Sequence, residues 1–173
     1  MVFKEIGEFF GQLRLAGEVL QLQALLELVK SPEYEEIEDK VERSLNTPGK
    51  INELVNSKNW MERLTLAECL EITPDMPEES LKEAKNAAKK LAHDSVWAVR
   101  CVLAMRSDIE PGFFKEIAEE LKKDKDWRVI IGLASNEKTP KEIISWIEEH
   151  NKKVLKRLQL EGKLEDLASL LRK

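Results

Sequence analysis

The chain has few of the residues on which metal, disulfide and nucleophilic chemistry depend. Its 173 residues include two cysteines, two histidines and seven scattered glycines. Two cysteines are too few for a disulfide framework, and Cys69, His93, Cys101 and His150 lack the close pairwise spacing of a zinc site. The glycines form no phosphate-binding loop. We therefore predict no catalytic residues, no metal, no cofactor and no enzymatic activity.

Long apolar runs are also missing. The most apolar stretch, Val19 to Val29, contains Gln and Glu and is shorter than the roughly 20 residues that a membrane helix needs. The N-terminus has no basic region followed by an apolar signal segment. These features predict a cytoplasmic protein without a membrane partner.

Charge is plentiful but unevenly distributed. Charged residues make up 35% of the chain, and the net charge is −5. Residues 1–80 carry 8 basic and 17 acidic side chains, whereas residues 81–173 carry 20 and 16. This asymmetry suits an anionic partner at the basic end, or head-to-tail self-association. The abundance of Lys and Glu beside four Gln is also typical of proteins from hot environments.

A pattern centred on tryptophan recurs along the chain. Counted from Leu54, Leu91 and Leu121 as zero, Ser or Asp lies at +3, Trp at +6, Leu at +12, Ala at +13 and Pro at +19 or +20. Weaker copies begin at Leu28 and Ile147. Such periodicity indicates a repeat architecture. A residue that recurs once per copy is a packing residue rather than part of one ligand site, and this applies to Trp60, Trp97 and Trp127.

Each copy predicts two helices. Ser and Asp are preferred N-caps, so one helix, called here the B helix, is expected to begin just after position +3. Positions +6, +10 and +13 then share one face of the B helix. The Pro is expected to open the partner, the A helix. Thr139 to Glu142 read as a capping box, with Thr as cap, Pro first and Glu three residues later.

Helical hairpins of this kind must stack, because a single pair cannot bury both of its faces. The sequence therefore predicts an all-α, single-domain fold over residues 1–173: an α-α superhelix of about five hairpins. Residues 1–27 are assigned to N-terminal capping helices, residues 28–161 to the repeats and residues 162–173 to a C-terminal capping helix.

The segments "DSVWAVRCVLA" and "DKDWRVIIGLASNEKTPKEII" resemble HEAT-like helical repeats, most closely the leucine-rich repeat variant family. The resemblance covers residues 54–150 well, and residues 28–53 and 150–173 loosely. It implies a helical solenoid without implying one function. An iron–sulfur module found in some members is not expected, because the chain has no cysteine cluster.

The resemblance also implies a ladder between adjacent repeats, formed by an Asp and an Arg six residues later. Asp94 and Arg100 match both positions, whereas Arg63 follows a Ser at that spacing. Asp124 is followed by Ile130. The ladder is therefore expected to be broken.

The basic C-terminal half supplies the candidate binding residues. B helices usually line the concave face of such solenoids, so their basic side chains would form a stripe along the groove. The candidates are Arg100, Arg128, Lys152, Lys153, Lys156 and Arg157. Our main hypothesis is a non-enzymatic helical-repeat scaffold that binds a protein partner. The alternative is a nucleic-acid-binding HEAT-like domain whose basic stripe attracts the phosphate backbone.

Overall fold

The protein is all-helical throughout the part of the chain that the structure, a computed structural model, describes: residues 30–45, 47 and 49–152. This part contains eight helices and no strand: α1 (Pro32–Leu45), α2 (Lys50–Val55), α3 (Trp60–Cys69), α4 (Glu78–Leu91), α5 (Trp97–Met105), α6 (Pro111–Leu121), α7 (Trp127–Ser135) and α8 (Lys141–His150). The predicted all-α class is confirmed here. The predicted capping helices, in 1–27 and 162–173, lie outside the described residues. None of the eight helices has the length and apolar character that crossing a membrane requires.

Alternate helices pack against one another in two sets. The B helices are α1, α3, α5 and α7, and each contacts the next member of the set. Among the A helices, α2 contacts α4 and α4 contacts α6. Adjacent helices along the chain also touch, and the buried residues of both sets form one apolar core. The packing is that of alternating helices, while the superhelix of five hairpins stays a prediction.

The B helices begin later than the sequence pattern predicted. Helices α3, α5 and α7 each begin at the Trp of position +6, so the expected N-cap at +3 is wrong. The carboxylates of Asp94 and Asp124 instead accept a hydrogen bond from the backbone N–H two residues later, at Val96 and Asp126, each at 2.8 Å. This Asx turn directs the chain into the helix, which is a second common role of Asp.

In α3 and α7 the N-cap is at position +5. Asn59 accepts a hydrogen bond from the N–H of Met61, and Asp126 accepts one from the N–H of Arg128, each at 3.0 Å. Val96 occupies the same position in α5 and supplies no side-chain cap. In α1 the prediction is confirmed, because Ser31, at position +3 of its copy, accepts a hydrogen bond from the N–H of Tyr34 at 3.3 Å. The sequence pattern therefore assigned the cap correctly in α1 and two residues too early in α3 and α7.

The predicted capping box at the start of α8 is also wrong. Pro140 is the N-cap of α8, and the helix has no side-chain cap. The Thr139 hydroxyl is buried and donates to the Leu133 carbonyl at 2.6 Å. A buried hydroxyl needs a partner, and the open C-terminal end of α7 provides one. By contrast, Pro111 occupies the first turn of α6 as predicted.

Small residues let the B helices approach one another. A Cβ atom placed on Gly132 in α7 would lie 3.1 Å from both the Cys101 Sγ and the Met105 Cγ of α5. The recurrent alanines at position +13 are buried, and the recurrent tryptophans are half-buried and pack against the core. The close approach brings polar side chains at the ends of neighbouring B helices within hydrogen-bonding distance.

Candidate interaction surface

Two arginines join the B helices near their N-termini. Arg63 of α3 donates through Nε and Nη2 to the Asp94 carboxylate, at 2.5 and 3.0 Å. Arg100 of α5 donates in the same way to Asp124, at 2.5 and 3.0 Å. Each pair links one copy to the next. The ladder is thus continuous from Arg63 to Asp124, and it ends where position +9 becomes Ile130.

Each of these guanidinium groups also binds the turn of its own copy. Nη1 of Arg63 donates to the Ser57 carbonyl at 2.7 Å, and Nη1 of Arg100 donates to the Asp94 carbonyl at 2.6 Å. The spacing of six residues between positions +3 and +9 makes this contact possible. One side chain therefore fixes the turn before its own helix and holds the following helix.

Burial and hydrogen bonding set the protonation states of the ladder. Burial would raise the pKa of Asp94, but hydrogen bonds from Arg63 and from the Val96 N–H hold that pKa below its usual value. The hydrogen bond to Asp124 raises the pKa of Arg100 despite partial burial. The side chains of Arg100 and Asp124 are 16% and 7% exposed. The charge of Arg100, a predicted binding residue, is therefore matched within the fold.

A second set of contacts joins the B helices at their C-terminal ends. Arg106, which is 2% exposed, donates through Nη1 to the Ala67 carbonyl at 3.0 Å and forms a two-bond ion pair with Asp108. The Asn136 amide donates to the Ala104 carbonyl at 3.0 Å. Both donors lie at position +15, and both acceptors lie at position +13 of the preceding copy. We call these contacts the C-terminal clamps.

Sequence reasoning missed the clamps because position +15 changes residue type. It is Cys69 in one copy, Arg106 in the next and Asn136 in the third. The shared signal is a strong hydrogen-bond donor two residues after the buried alanine, and this signal is absent at Cys69, because a thiol is a weak donor.

Arg128, a second predicted binding residue, is also engaged within the fold. Its guanidinium lies 3.7 Å from the centroid of the Trp97 ring. The same side chain pairs with both carboxylate oxygens of Asp126, at 2.9 and 2.7 Å. A cation over an indole face is attracted by the ring quadrupole, so Arg128 joins α7 to the start of α5.

The remaining predicted binding residues lie at the end of the described chain. Lys152 is exposed. Lys153, Lys156 and Arg157 lie outside the described residues. The structure therefore places Arg100 and Arg128 in charge pairs, and the basic stripe that includes the last four residues stays a prediction.

The A helices are joined by a different kind of contact. Lys89 pairs with Glu116 at 2.8 Å, and Lys115 pairs with Glu142 at 2.7 Å. All four side chains are more than half exposed. These pairs repeat from α4 to α6 and from α6 to α8 on the surface of the molecule.

A groove opens at the C-terminal ends of α1 and α3, where the C-terminal clamp is missing. Its volume is about 780 Å³, and its described lining consists of Glu42, Leu45, Thr47, Ile51, Cys69, Glu71, Met76, Pro77, Glu79, Ser80 and Glu83. This space is left open by the loop between α3 and α4 and by the short helix α2. Helix α2 has six residues, whereas α4 has 14. We call it the acidic groove, because four of these residues are glutamates and none is Lys or Arg.

The thiol in the acidic groove is not an activated nucleophile. Burial, followed by the nearby carboxylates of Glu68, Glu38 and Glu42, raises the pKa of Cys69 to about 12. Burial also raises the pKa of Glu38, together with the charges of Glu68 and Glu42. A cysteine with so high a pKa is protonated near neutral pH, and the thiolate is the reactive form.

Histidines and cysteines do not converge on one site. His93 is exposed and lies 3.8 Å from Glu120, whereas His150 stacks on Trp146 with ring centroids 4.2 Å apart. Cys101 is buried, and its Sγ contacts the Arg128 carbonyl at 3.5 Å. Over residues 30–152, apart from 46 and 48, no group of three or more His, Cys, Asp or Glu is placed to hold a metal ion.

No family model, curated protein or solved structure matches this chain. The resemblance to HEAT-like repeats is thus not supported by a relative, and function has to be argued from the geometry described above.

Proposed function

We propose that the protein is a non-enzymatic helical-repeat scaffold, an α-α superhelix of about five hairpins, that binds a protein partner. The observation that carries this proposal is the regular linkage of the B helices α3, α5 and α7 at both ends. The polar residues of the repeated motif hold neighbouring helices together instead of converging on one pocket. Arrays of this kind present extended surfaces, which is how repeat proteins bind other proteins.

The acidic groove supports a binding role for one end of the array. It is an open, mixed polar and apolar surface, and interfaces commonly combine an apolar centre with a polar rim. Its carboxylates are accessible to a partner, because Glu42, Glu71 and Glu79 are exposed.

Affinity capture from a native lysate, followed by mass spectrometry, tests the scaffold proposal. The full chain serves as bait, and the heat-unfolded chain serves as the control. A protein that is retained by the folded bait and then binds the purified chain in calorimetry is the expected result. Absence of any such protein, together with turnover of a small molecule by the purified chain, would contradict the proposal.

Nucleic-acid binding by the basic half remains the alternative. Because Arg100 and Arg128 are paired within the fold, this function would depend on Lys152 and on residues 153–157. A gel-shift series at rising salt distinguishes the two functions, since phosphate contacts weaken steeply with salt. Binding at low salt that Lys152→Glu weakens would favour the alternative; no binding at low salt would exclude it.

A further inference from the structure

The acidic groove has an electrostatic character that selects its ligand. Four glutamates line it, and its described lining includes no basic side chain. Glu42, Glu71 and Glu79 are exposed. Helices α1 and α3 both end beside the groove, and the C-terminal end of a helix carries partial negative charge. A positively charged group would be attracted to this site, and a phosphate backbone would be repelled.

Part of the lining of the groove is apolar. Leu45 and Met76 are partly buried, and the buried Ile51 also belongs to the lining. Half-buried Cys69 adds a further soft, weakly polar surface. A volume of about 780 Å³ is large enough for several side chains of a ligand. A small hydrated cation would not use these apolar side chains, whereas a peptide with both basic and apolar side chains would.

We propose that the acidic groove binds a basic, partly apolar peptide segment of a partner protein. Lys or Arg side chains of the segment pair with Glu42, Glu71 and Glu79, and its apolar side chains cover Leu45 and Met76. This inference rests on the proposed scaffold function and adds the site and the chemical class of the partner.

The probe is a fluorescein-labelled 12-residue peptide with Lys and Leu at helical spacing, titrated into the full chain by fluorescence anisotropy. Two control peptides separate the contribution of charge from that of apolar contact. One has Glu in place of Lys, and the other has Ser in place of Leu. We expect binding of the Lys/Leu peptide, and at least tenfold weaker binding of each control. Equal binding of the Lys/Ser peptide would overturn the proposal, because attraction of charge alone would then explain the affinity.

Matched charge variants locate the site. Glu42→Gln, Glu71→Gln and Glu79→Gln together should weaken binding of the Lys/Leu peptide at least tenfold. The control variant combines Glu137→Gln, Glu148→Gln and Glu149→Gln, at exposed positions after α7 and in α8, and changes the net charge by the same amount. It should change the affinity for the Lys/Leu peptide less than twofold. Thermal melts establish that both triple variants are folded. Equal weakening by the two sets would overturn the proposal.

Cys69 provides a readout that depends on the groove itself. It lines the groove, whereas Cys101 is 1% exposed and serves as an internal reference. Saturating Lys/Leu peptide should slow alkylation of Cys69 at least fivefold, as measured by mass spectrometry, and leave Cys101 unchanged. Unchanged alkylation of Cys69 would place the peptide elsewhere and overturn the proposal.

Two further outcomes distinguish the groove proposal from the scaffold function and from self-association of the chain. If a lysate partner binds the purified chain but the groove variants do not affect it, the groove assignment is wrong and the scaffold function stands. If sedimentation shows self-association that the groove variants abolish, the occupant is a second copy of the chain, and the assignment to a partner protein is wrong.

Discussion

The two sets of helices are joined by side chains in opposite environments. Between B helices, the Arg100–Asp124 pair is largely buried and has two short hydrogen bonds, and Arg106 is almost fully buried where it meets the Ala67 carbonyl. Between the A helices α4, α6 and α8, the ion pairs are single Lys–Glu pairs on the surface, with Lys115 and Glu142 at 53% and 59% exposure.

The two kinds of contact contribute differently to the free energy of unfolding. Exposed ion pairs contribute about 0–1 kcal/mol, because water screens them and two long side chains lose freedom. Removing one partner of a buried pair costs more, since the other is left unsatisfied away from water. The B helices are therefore linked by buried polar contacts that the fold needs, whereas the exposed ion pairs between A helices tolerate change. Substitutions in the two sets of contacts should differ accordingly in their effect on stability.

Trp97→Ala should have the largest effect. Trp97 packs against the core at the start of α5 and lies beneath the Arg128 guanidinium. Loss of a large aromatic from such a site costs about 3 kcal/mol. Urea unfolding monitored by circular dichroism checks this value. A normal unfolding midpoint combined with lost partner binding would show that Trp97 is a ligand contact instead.

Arg106→Met should destabilise the fold by about 2 kcal/mol. Methionine fills much of the same volume, so the loss reports mainly the unpaired Ala67 carbonyl, at about 1–3 kcal/mol for a buried acceptor. The matched control is Lys89→Met, which removes an exposed cation from α4 and should cost less than about 0.5 kcal/mol. Equal effects of the two substitutions in urea unfolding would remove the distinction between the helix sets.

Acid should weaken the B-helix ladder. The pKa of Asp94 is lower in the folded protein than in the unfolded chain, so its contribution is present above the usual Asp range and is lost as the pH falls through the folded pKa. We expect urea midpoints to fall as the pH drops below the usual Asp pKa of about 4. Asp94→Asn should be less stable at pH 7 and show a flatter decline. Parallel declines of the two proteins would argue against this role.

Lys115→Ala should have the smallest effect, with almost no change in the thermal melting midpoint, because its partner Glu142 stays solvated. Thermal melts in low salt and in 0.5 M salt check this expectation, since salt should remove most of any difference from the wild type. A clear drop in the melting midpoint at both salt concentrations would mean that the A helices are held more firmly than their exposure indicates.

The sequence pattern predicted the helical class, the pairing of helices and the packing role of Trp97, because those depend on local periodicity. It misplaced the N-cap at Asp94, because Asp serves equally well in an Asx turn. It missed the C-terminal clamps, because Arg106 and Asn136 are different residue types that both donate a hydrogen bond to a carbonyl of the preceding copy. The acidic groove was not predicted either, because it depends on how a short α2 and the α3–α4 loop leave space in three dimensions.

Two double-mutant cycles, measured side by side, test the central claim that buried contacts between B helices dominate the linkage of the array. One cycle combines Arg100→Ala with Asp124→Ala, and the other combines Lys115→Ala with Glu142→Ala. We predict a coupling energy of about 2 kcal/mol for the first pair and no measurable coupling for the second, which is screened by solvent. Equal coupling energies, or a larger value for Lys115 and Glu142, would contradict the account.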